Sequence, residues 1–317
     1  MRLFIFRVLF ERFHLRFSRT ALILFLLFSG VLSAGAQSSF TVGTYNLERF
    51  NPEKNEAFEE KYQKIIESIA AMNADVVGLV EVGKIDSVKL LLDGLEKAKT
   101  PYRYYEWMAS NDGNLHLAVF SRYPLKETRH HKSDTYSLGG KRYNLKRGIL
   151  ETSVQITKDY SFTVLLTHLK SQVATRYAPQ EEIRLEEAKL VRKKLDEILK
   201  KNMEADFILM GDLNDNFSSR PVRTLIGNQK GQSRLMDTRP IEPIGDTLPS
   251  GRTRGKYRSV AWTHFYSSED SYSRLDYILC SPGMRDQFLP EQTAVIVVPN
   301  WGHGSDHRPI KAGFRVP

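Results

Sequence analysis

The chain has 317 residues with 41% apolar and 26% charged side chains, which excludes a disordered chain and describes an ordinary folded, soluble domain. Its single cysteine, Cys280, excludes an internal disulfide framework and any multi-cysteine zinc site. Four of its nine net positive charges fall in the first 36 residues, where Arg2, Arg7, Arg12, Arg16 and Arg19 face only Glu11; the remainder, at +5, tolerates a polyanionic substrate without identifying one.

Thr20 to Leu32 is an uncharged, largely apolar run of 13 residues, followed by the small-x-small triplet Ala34-Gly35-Ala36. A membrane span needs ~20 apolar residues, so the run is too short to cross. Positive flank, short apolar core and cleavage triplet read as a secretory signal peptide over residues 1–36, preferred over an uncleaved anchor. Residues 37–317 are then one secreted or periplasmic domain, a monomer with no stable membrane association. Cys280, inside the apolar run Tyr277 to Cys280, reads as packing rather than as a nucleophile.

Phe40 to Tyr45 is predicted as a strand that stops at Asn46. Glu56 to Met72 has helical spacing, with Phe58, Tyr62, Ile65, Ile66, Ile69 and Met72 on one face. Val76–Val80 is a short strand ending at Glu81, and Leu115–Phe120 another, broken at Tyr123-Pro124. Ile149–Ile156 and Phe162–Leu166 form a strand pair joined at Lys158-Asp159, the second stopping at Thr167-His168. Glu181–Lys201 is a long amphipathic helix. Phe207–Met210 is a strand that stops at Gly211-Asp212. Tyr277–Cys280 and Ala294–Val298 are the last strands, and Pro240–Arg258 reads as a long surface loop. Helices among both hairpin and crossover strands imply two mixed sheets with helices outside. Four strands end on Asn46, Glu81, His168 and Asp212, residues able to bind metal or move a proton, and strand ends at one edge are where layered folds assemble sites.

Several constellations carry chemistry, each with a bland alternative. Asp212 and Asn214 are spaced to project to one side of an extended chain, where they could hold hydrated Mg²⁺ or a phosphate-bound water; a polar turn has the same composition. Asp306 and His307 are neighbours and point oppositely on a strand, so another carboxylate should orient the imidazole, and Asp276 is the leading candidate. His168 and Lys170 at a strand end suit a proton donor beside a cation at a phosphate, or simply a buried His and a solvated Lys. Arg147, abutting a strand, is a candidate phosphate contact. The run Arg252, Arg254, Lys256 and Arg258, with Tyr257, Trp262 and Tyr266 in or after it, suits nucleic-acid contact, although solvated loops share that composition.

In order, Thr44-Tyr45-Asn46-Leu47, Gly78-Leu79-Val80-Glu81-Val82, Thr167-His168-Leu169-Lys170-Ser171, Gly211-Asp212-Leu213-Asn214-Asp215, Leu275-Asp276-Tyr277 and Ser305-Asp306-His307-Arg308-Pro309 resemble the blocks of the endonuclease/exonuclease/phosphatase superfamily, which includes DNase I, AP endonucleases, inositol-polyphosphate phosphatases and neutral sphingomyelinases. The resemblance implies a DNase I-like four-layer α/β/β/α sandwich with the site at one edge of its two packed mixed sheets. It makes Glu81 the principal Mg²⁺ ligand, supported by Asn46, with Asp306 binding or orienting the metal; Mn²⁺ may substitute. Asp212 would polarise the attacking water and Asn214 would contact the phosphate. His307 would touch the scissile phosphate or act as base, held by Asp276, and His168 would assist with Lys170 and Arg147 as phosphate contacts. DNase-like members support the proton-donating His with a carboxylate, where this chain offers Asn114 and His116. The Lys170-Ser171 continuation looks most like secreted bacterial nucleases of the superfamily. The expectation is therefore a metal-dependent phosphodiesterase acting on DNA or RNA, with a sphingomyelinase-like or inositol/sugar phosphatase activity as the alternative use of one metal site, and a non-catalytic binding module as a rival that the intact site residues disfavour.

Overall fold

The structure, a computed structural model, describes residues 38–52, 57–245, 247–249 and 257–317. The export signal and Arg252, Arg254 and Lys256 of the basic run lie outside the described residues, as do the side chains of Tyr257 and Arg258. In chain order the elements are β1 (Ser39–Phe50), α1 (Phe58–Met72), β2 (Val76–Val82), α2 (Ile85–Lys97), β3 (Tyr104–Met108), β4 (His116–Ser121), β5 (Leu125–His131), β6 (Thr135–Leu138), β7 (Lys141–Asn144), β8 (Ile149–Gln155) and β9 (Ser161–His168). There follow α3 (Gln180–Lys201), β10 (Phe207–Asp212), α4 (Arg220–Ile226), β11 (Met236–Asp237), β12 (Thr247–Pro249), β13 (Tyr257–Ser259), β14 (His264–Tyr266), β15 (Ser271–Ser273), β16 (Asp276–Cys280), β17 (Phe288–Val295) and β18 (Ile310–Arg315).

Two six-stranded sheets, ordered β17-β18-β1-β2-β4-β3 and β11-β16-β10-β9-β8-β5, pack face to face. Each is mixed: β1 runs parallel to β2 and β9 parallel to β10, while their other pairings are antiparallel. Three apolar layers hold the stack. Phe40, Val42, Leu166, Met210 and Ile278 fill the space between the sheets. The apolar stripe of α1, with Ile65, Ile69 and Met72, packs with Leu91 and Leu95 of α2 on the outer face of the first sheet. Val191 and Leu195 of α3, with Val222 and Leu225 of α4, cover the second. The four-layer α/β/β/α sandwich follows from these three interfaces.

Some element limits differ from their sequence reading. The strand expected over Ala294–Val298 is the end of a longer one, Phe288–Val295, and Val297 beyond it is exposed. The Pro240–Arg258 loop contains β12 and leads into β13, a two-stranded ribbon too short and polar to show period-two patterning. The helix α2 was not read from sequence, although Val88, Leu91 and Leu95 recur at helical spacing. Alternation along the inner face sets the site: the rows filled by Val42, Leu166, Met210 and Ile278 continue at one edge into Thr44 and Asn46, His168, Asp212 and Asp276.

Candidate active site

Strand register brings three polar residues side by side. On β10, Asp212 pairs with His168 of the parallel strand β9 and with Asp276 of the antiparallel strand β16. Gly211 before it has φ +131°, and a Cβ there would stand 2.0 Å from the Thr167 carbonyl oxygen, so β9 and β10 approach this closely only over glycine. Asn46 enters from the facing sheet and donates from Nδ2 to Asp212 Oδ2 at 2.9 Å and to Glu81 Oε1 at 3.3 Å.

Glu81 reaches the site because its strand is irregular there. Val80 packs between the sheets, yet Val82 packs on the outer, helical side, the reverse of strict alternation. The pairing of β2 with β4 shifts register between them, and Glu81 takes φ +60°. It is the extra residue of a β-bulge, a device that re-aims a side chain at the cost of local strain. Its Oε2 accepts from the Arg49 amide at 3.0 Å.

His307 lies on the loop before β18. The Ser305 hydroxyl ties this loop to β1 by donating to the Asn46 carbonyl at 2.7 Å and accepting from the His307 amide. The hairpin β14–β15 clamps the other side: Phe265 donates to the Asp306 carbonyl, Arg308 donates to the Thr263 carbonyl, and His264 forms a bridge with His307. The ring itself is set by Asp276, whose Oδ2 is 2.7 Å from Nδ1, leaving Nε2 directed at Asp212 and Asp306, each 3.8 Å away. The Thr263 hydroxyl accepts from the Leu275 and Asp276 amides, fixing that carboxylate in turn. Burial alone would lower the His307 pKa, but Asp276, Asp212 and Asp306 raise it to about 10.

The other site residues fall into two groups. His168 is fully buried with both ring nitrogens lacking a hydrogen-bond partner among the described residues, and its Nε2 lies 3.6 Å from Asp212 and 3.8 Å from Glu81. Burial, reinforced by Arg147, His307 and Lys170, holds its pKa well below the usual value, so the ring is neutral. Among the described residues no carboxylate supports it from behind. Asp112 binds Arg147 Nε at 3.0 Å, and Arg147 also donates to the Leu169 carbonyl. Three residues are placed differently from their expected roles. Lys170 Nζ donates to Ser171 O, Ser171 Oγ and Val173 O, so its ammonium closes the loop after β9 rather than facing a phosphate. Asn214 Nδ2 donates to Leu169 O and to Asp212 Oδ2, and its amide donates to Asp212 Oδ1, so it positions Asp212. Asn46 turns its amide nitrogen to the carboxylates and its oxygen to the Glu48 amide at 2.9 Å; presenting oxygen to a metal requires a half-turn of that amide.

Sequence reasoning missed Asp112, Thr263, Ser305 and His264. His264 Nε2 stands 3.5 Å from Asp306 Oδ2 and its ring centroid 4.7 Å from that of His307. The only sequence signal was a His beside aromatics in Trp262-Thr263-His264-Phe265.

The donor set suits a hard divalent cation. Burial pushes up the pKa of Glu81, against the charge of His307 and the bond from Asn46, and raises that of Asp212 to about 7 with Asp276 adding to the shift. Buried carboxylates crowded at one edge need counter-charge, and oxygen-rich sites of this kind match Mg²⁺ rather than a thiophilic metal. Among the described residues, two groupings of His and carboxylate atoms lie within 4.8 Å, Asp212–Asp276–His307 and His264–Asp306–His307. In the first, Asp276 and His307 are already bonded to each other; Glu81 and Asn46, which belong to neither grouping, together with Asp306 offer further oxygens that could hold an ion.

The sequence model of the Endonuclease/Exonuclease/phosphatase family matches residues 43–307, a span that runs from before Asn46 to His307. No curated protein matches the sequence. Among solved structures, an endonuclease/exonuclease/phosphatase from Bacteroides vulgatus aligns over 88% of this chain and 100% of its own, with TM-score 0.60 and 17% identity. The human Nocturnin catalytic domain with bound sulfate anion aligns over 87% and 94%, with TM-score 0.59 and 17% identity. Truncated Caenorhabditis elegans TDP2 aligns over 88% and 98%, with TM-score 0.55 and 17% identity. At these identities the likeness is one of fold.

Proposed function

Because the chain belongs to the Endonuclease/Exonuclease/phosphatase family, whose members are hydrolases of phosphate esters, we propose that it is a Mg²⁺-dependent phosphodiesterase that cleaves nucleic acid outside the cytoplasm. The observation that carries the chemistry is the continuous line Asp276–His307–Asp212–Asn46–Glu81, drawn from both sheets and joined by contacts of 2.7 to 3.8 Å. Mg²⁺ held by Glu81, Asp306 and Asn46 would polarise the phosphoryl oxygen and stabilise charge on the leaving group. Asp276 holds the His307 ring so that Nε2 donates to a non-bridging phosphate oxygen. Asp212, gripped by Asn46 and Asn214, orients the attacking water and receives its proton. His168, neutral and without a hydrogen-bond partner among the described residues, contacts the same phosphate from the neighbouring strand β9, with Arg147 adding positive charge.

Export rests on the arginine-flanked apolar run and the Ala34-Gly35-Ala36 triplet. Support for a polymeric substrate comes from the Lys170-Ser171 continuation and from the basic surface described below. The test is hydrolysis of single-stranded DNA, duplex DNA, RNA, sphingomyelin and inositol phosphates with Mg²⁺. Cleavage of a nucleic-acid polymer supports the reading; release of inorganic phosphate from a small monoester, with polymers intact, overturns the substrate class.

A further inference from the structure

A large concavity of about 1910 Å³ lies between the outer face of α3, the helix α4 and the loop that follows it. It exceeds the ~300–1,000 Å³ usual for small-molecule sites, and its chemistry is lopsided. Six lysines and arginines line it against one carboxylate, Asp196. A second, adjoining cavity shares Lys189, Arg192, Asp196 and Thr224 and extends along α3 to Lys193 and Lys200, with Glu197 as its other carboxylate.

The floor is rigid. Arg192 lies across it, donating to the carbonyls of Leu225, Ile226 and Ser233 and to the Ser233 hydroxyl, with Asp196 on Nε. Gly227 has φ +87°, and a Cβ there would fall 2.7 Å from that guanidinium. Arg192 is therefore a structural clamp between α3 and α4. Arg220, Arg223 and Lys230 on the walls are exposed and have no ion-pair partner among the described residues. An unpaired cation row above a fixed floor concentrates phosphate.

One end of the groove is aromatic, and it is the end nearest the catalytic loops. Phe217 follows Asn214 by three residues and is 41% exposed; Tyr272 is 61% exposed and packs on Trp262 with ring centroids 4.8 Å apart. Trp262 in turn lies under the Arg308 guanidinium, 3.2 Å from its ring centroid, and Arg308 follows His307 directly. Aromatic faces beside a cation track are the arrangement that binds single strands, because stacking needs unpaired bases.

We propose that this groove is a binding track for single-stranded nucleic acid, in which Phe217 and Tyr272 stack bases leaving the active site and Arg220, Arg223 and Lys230 hold the following phosphates. It rests on the nuclease reading for the identity of the polymer, and it adds that processing is length-dependent and prefers unpaired strands.

The experiment measures binding separately from cleavage. Fluorescein-labelled DNA and RNA oligonucleotides of about 4 and about 20 nucleotides are titrated into cleavage-blocked Asp212→Asn protein between about 50 and 200 mM salt. The longer single strands should bind at least ~10-fold more tightly than the short ones and more tightly than a duplex of equal length. The triple variant Arg220→Gln/Arg223→Gln/Lys230→Gln should lose that gain and lower the log–log salt slope by about 2, since each phosphate contact on a single strand contributes ~0.7. Phe217→Ala/Tyr272→Ala should erase the preference over duplex. With Asp212 intact, the same variants should hydrolyse bis(p-nitrophenyl) phosphate, which is too small to reach the track, at the wild-type rate. An unchanged length gain and salt slope in the triple variant overturns the track, as does tighter binding to anionic phospholipid vesicles than to oligonucleotides. If the track binds strands that the wild-type protein never cleaves, the nuclease reading fails and the track stands.

Discussion

His307 donates from Nδ1 to Asp276, 31 residues away in sequence and 2.7 Å away in space, and not to its neighbour Asp306, whose carboxylate faces His264 and the Nε2 side of the ring. Asp306 Oδ1 lies 3.8 Å from Nε2, the wrong nitrogen for orienting the ring from behind, whereas β16 delivers Asp276 to Nδ1. His307→Ala and Asp276→Asn should each slow hydrolysis ~10²–10⁴-fold. Because the two act as a unit, the double variant should lose little beyond the worse single. Kinetic losses that simply multiply would show that they work independently.

Glu81 is held at φ +60° in a bulge and in a crowd of carboxylates. Such a backbone costs a non-glycine residue ~1–3 kcal/mol. Glu81→Gly should therefore be at least as stable as wild type in urea while losing at least ~10²-fold in rate, and Glu81→Val should be markedly less stable than either. A Gly variant less stable than the Val variant would show that the bulge carries no strain.

His168 and Lys170 share a strand end but should fail differently. His168 has two ring nitrogens without partners and should lose rate as Ala with little change in melting temperature. The Lys170 ammonium bonds three oxygens within residues 171–173, so Lys170→Met should lower stability by about 1–3 kcal/mol and slow the folded enzyme only a few-fold. Equal rate losses in two fully folded variants would return Lys170 to the phosphate.

Burial alone would raise the Asp112 pKa, yet bonds from Ser110, Leu115 and Asn114 and the charge of Arg147 hold it below the ordinary carboxylate value. A carboxylate with a depressed folded-state pKa contributes stability above its unfolded pKa of ~3.9 and loses it as the pH falls through the folded value. Asp112→Asn should thus cost about 1–2 kcal/mol at pH 7, at the low end because the group is partly hydrated, and the difference from wild type should vanish in acid. It should also raise KM by loosening Arg147. A stability gap that persists unchanged below ~pH 3 would rule out the ionic contribution.

The sandwich and the main site residues were legible because their determinants are local. Strands ending on Asn46, Glu81, His168 and Asp212 announce themselves through apolar runs, and the order of the blocks supplied their common edge. Strand alternation argued against Asp306 as the partner of His307, and the resemblance of the Leu275-Asp276-Tyr277 block pointed to Asp276. Roles that depend on the hydrogen-bond partner a side chain finds were not legible. That Asn214 grips Asp212, that Lys170 closes its own loop, and that Asp112 serves Arg147 instead of His168 are decided by which donor meets which acceptor after folding. The bulge at Glu81 breaks the period-two pattern by one residue, and a sequence shows only a strand that stops. The groove between α3 and α4 was hidden because Arg192 and Arg220 look alike as letters, while one is a clamp and the other is exposed without an ion pair.

The most direct measurement is the rate of oligonucleotide cleavage by wild type and Glu81→Gln across a Mg²⁺ titration, starting from chelator. Wild type should be inactive in EDTA and recover with Mg²⁺ or Mn²⁺, and Glu81→Gln should require at least ~10-fold more metal for half-maximal rate, as expected when a charged ligand is removed. Full wild-type activity in chelator, or identical Mg²⁺ curves for the two proteins, would contradict metal-assisted hydrolysis at this site.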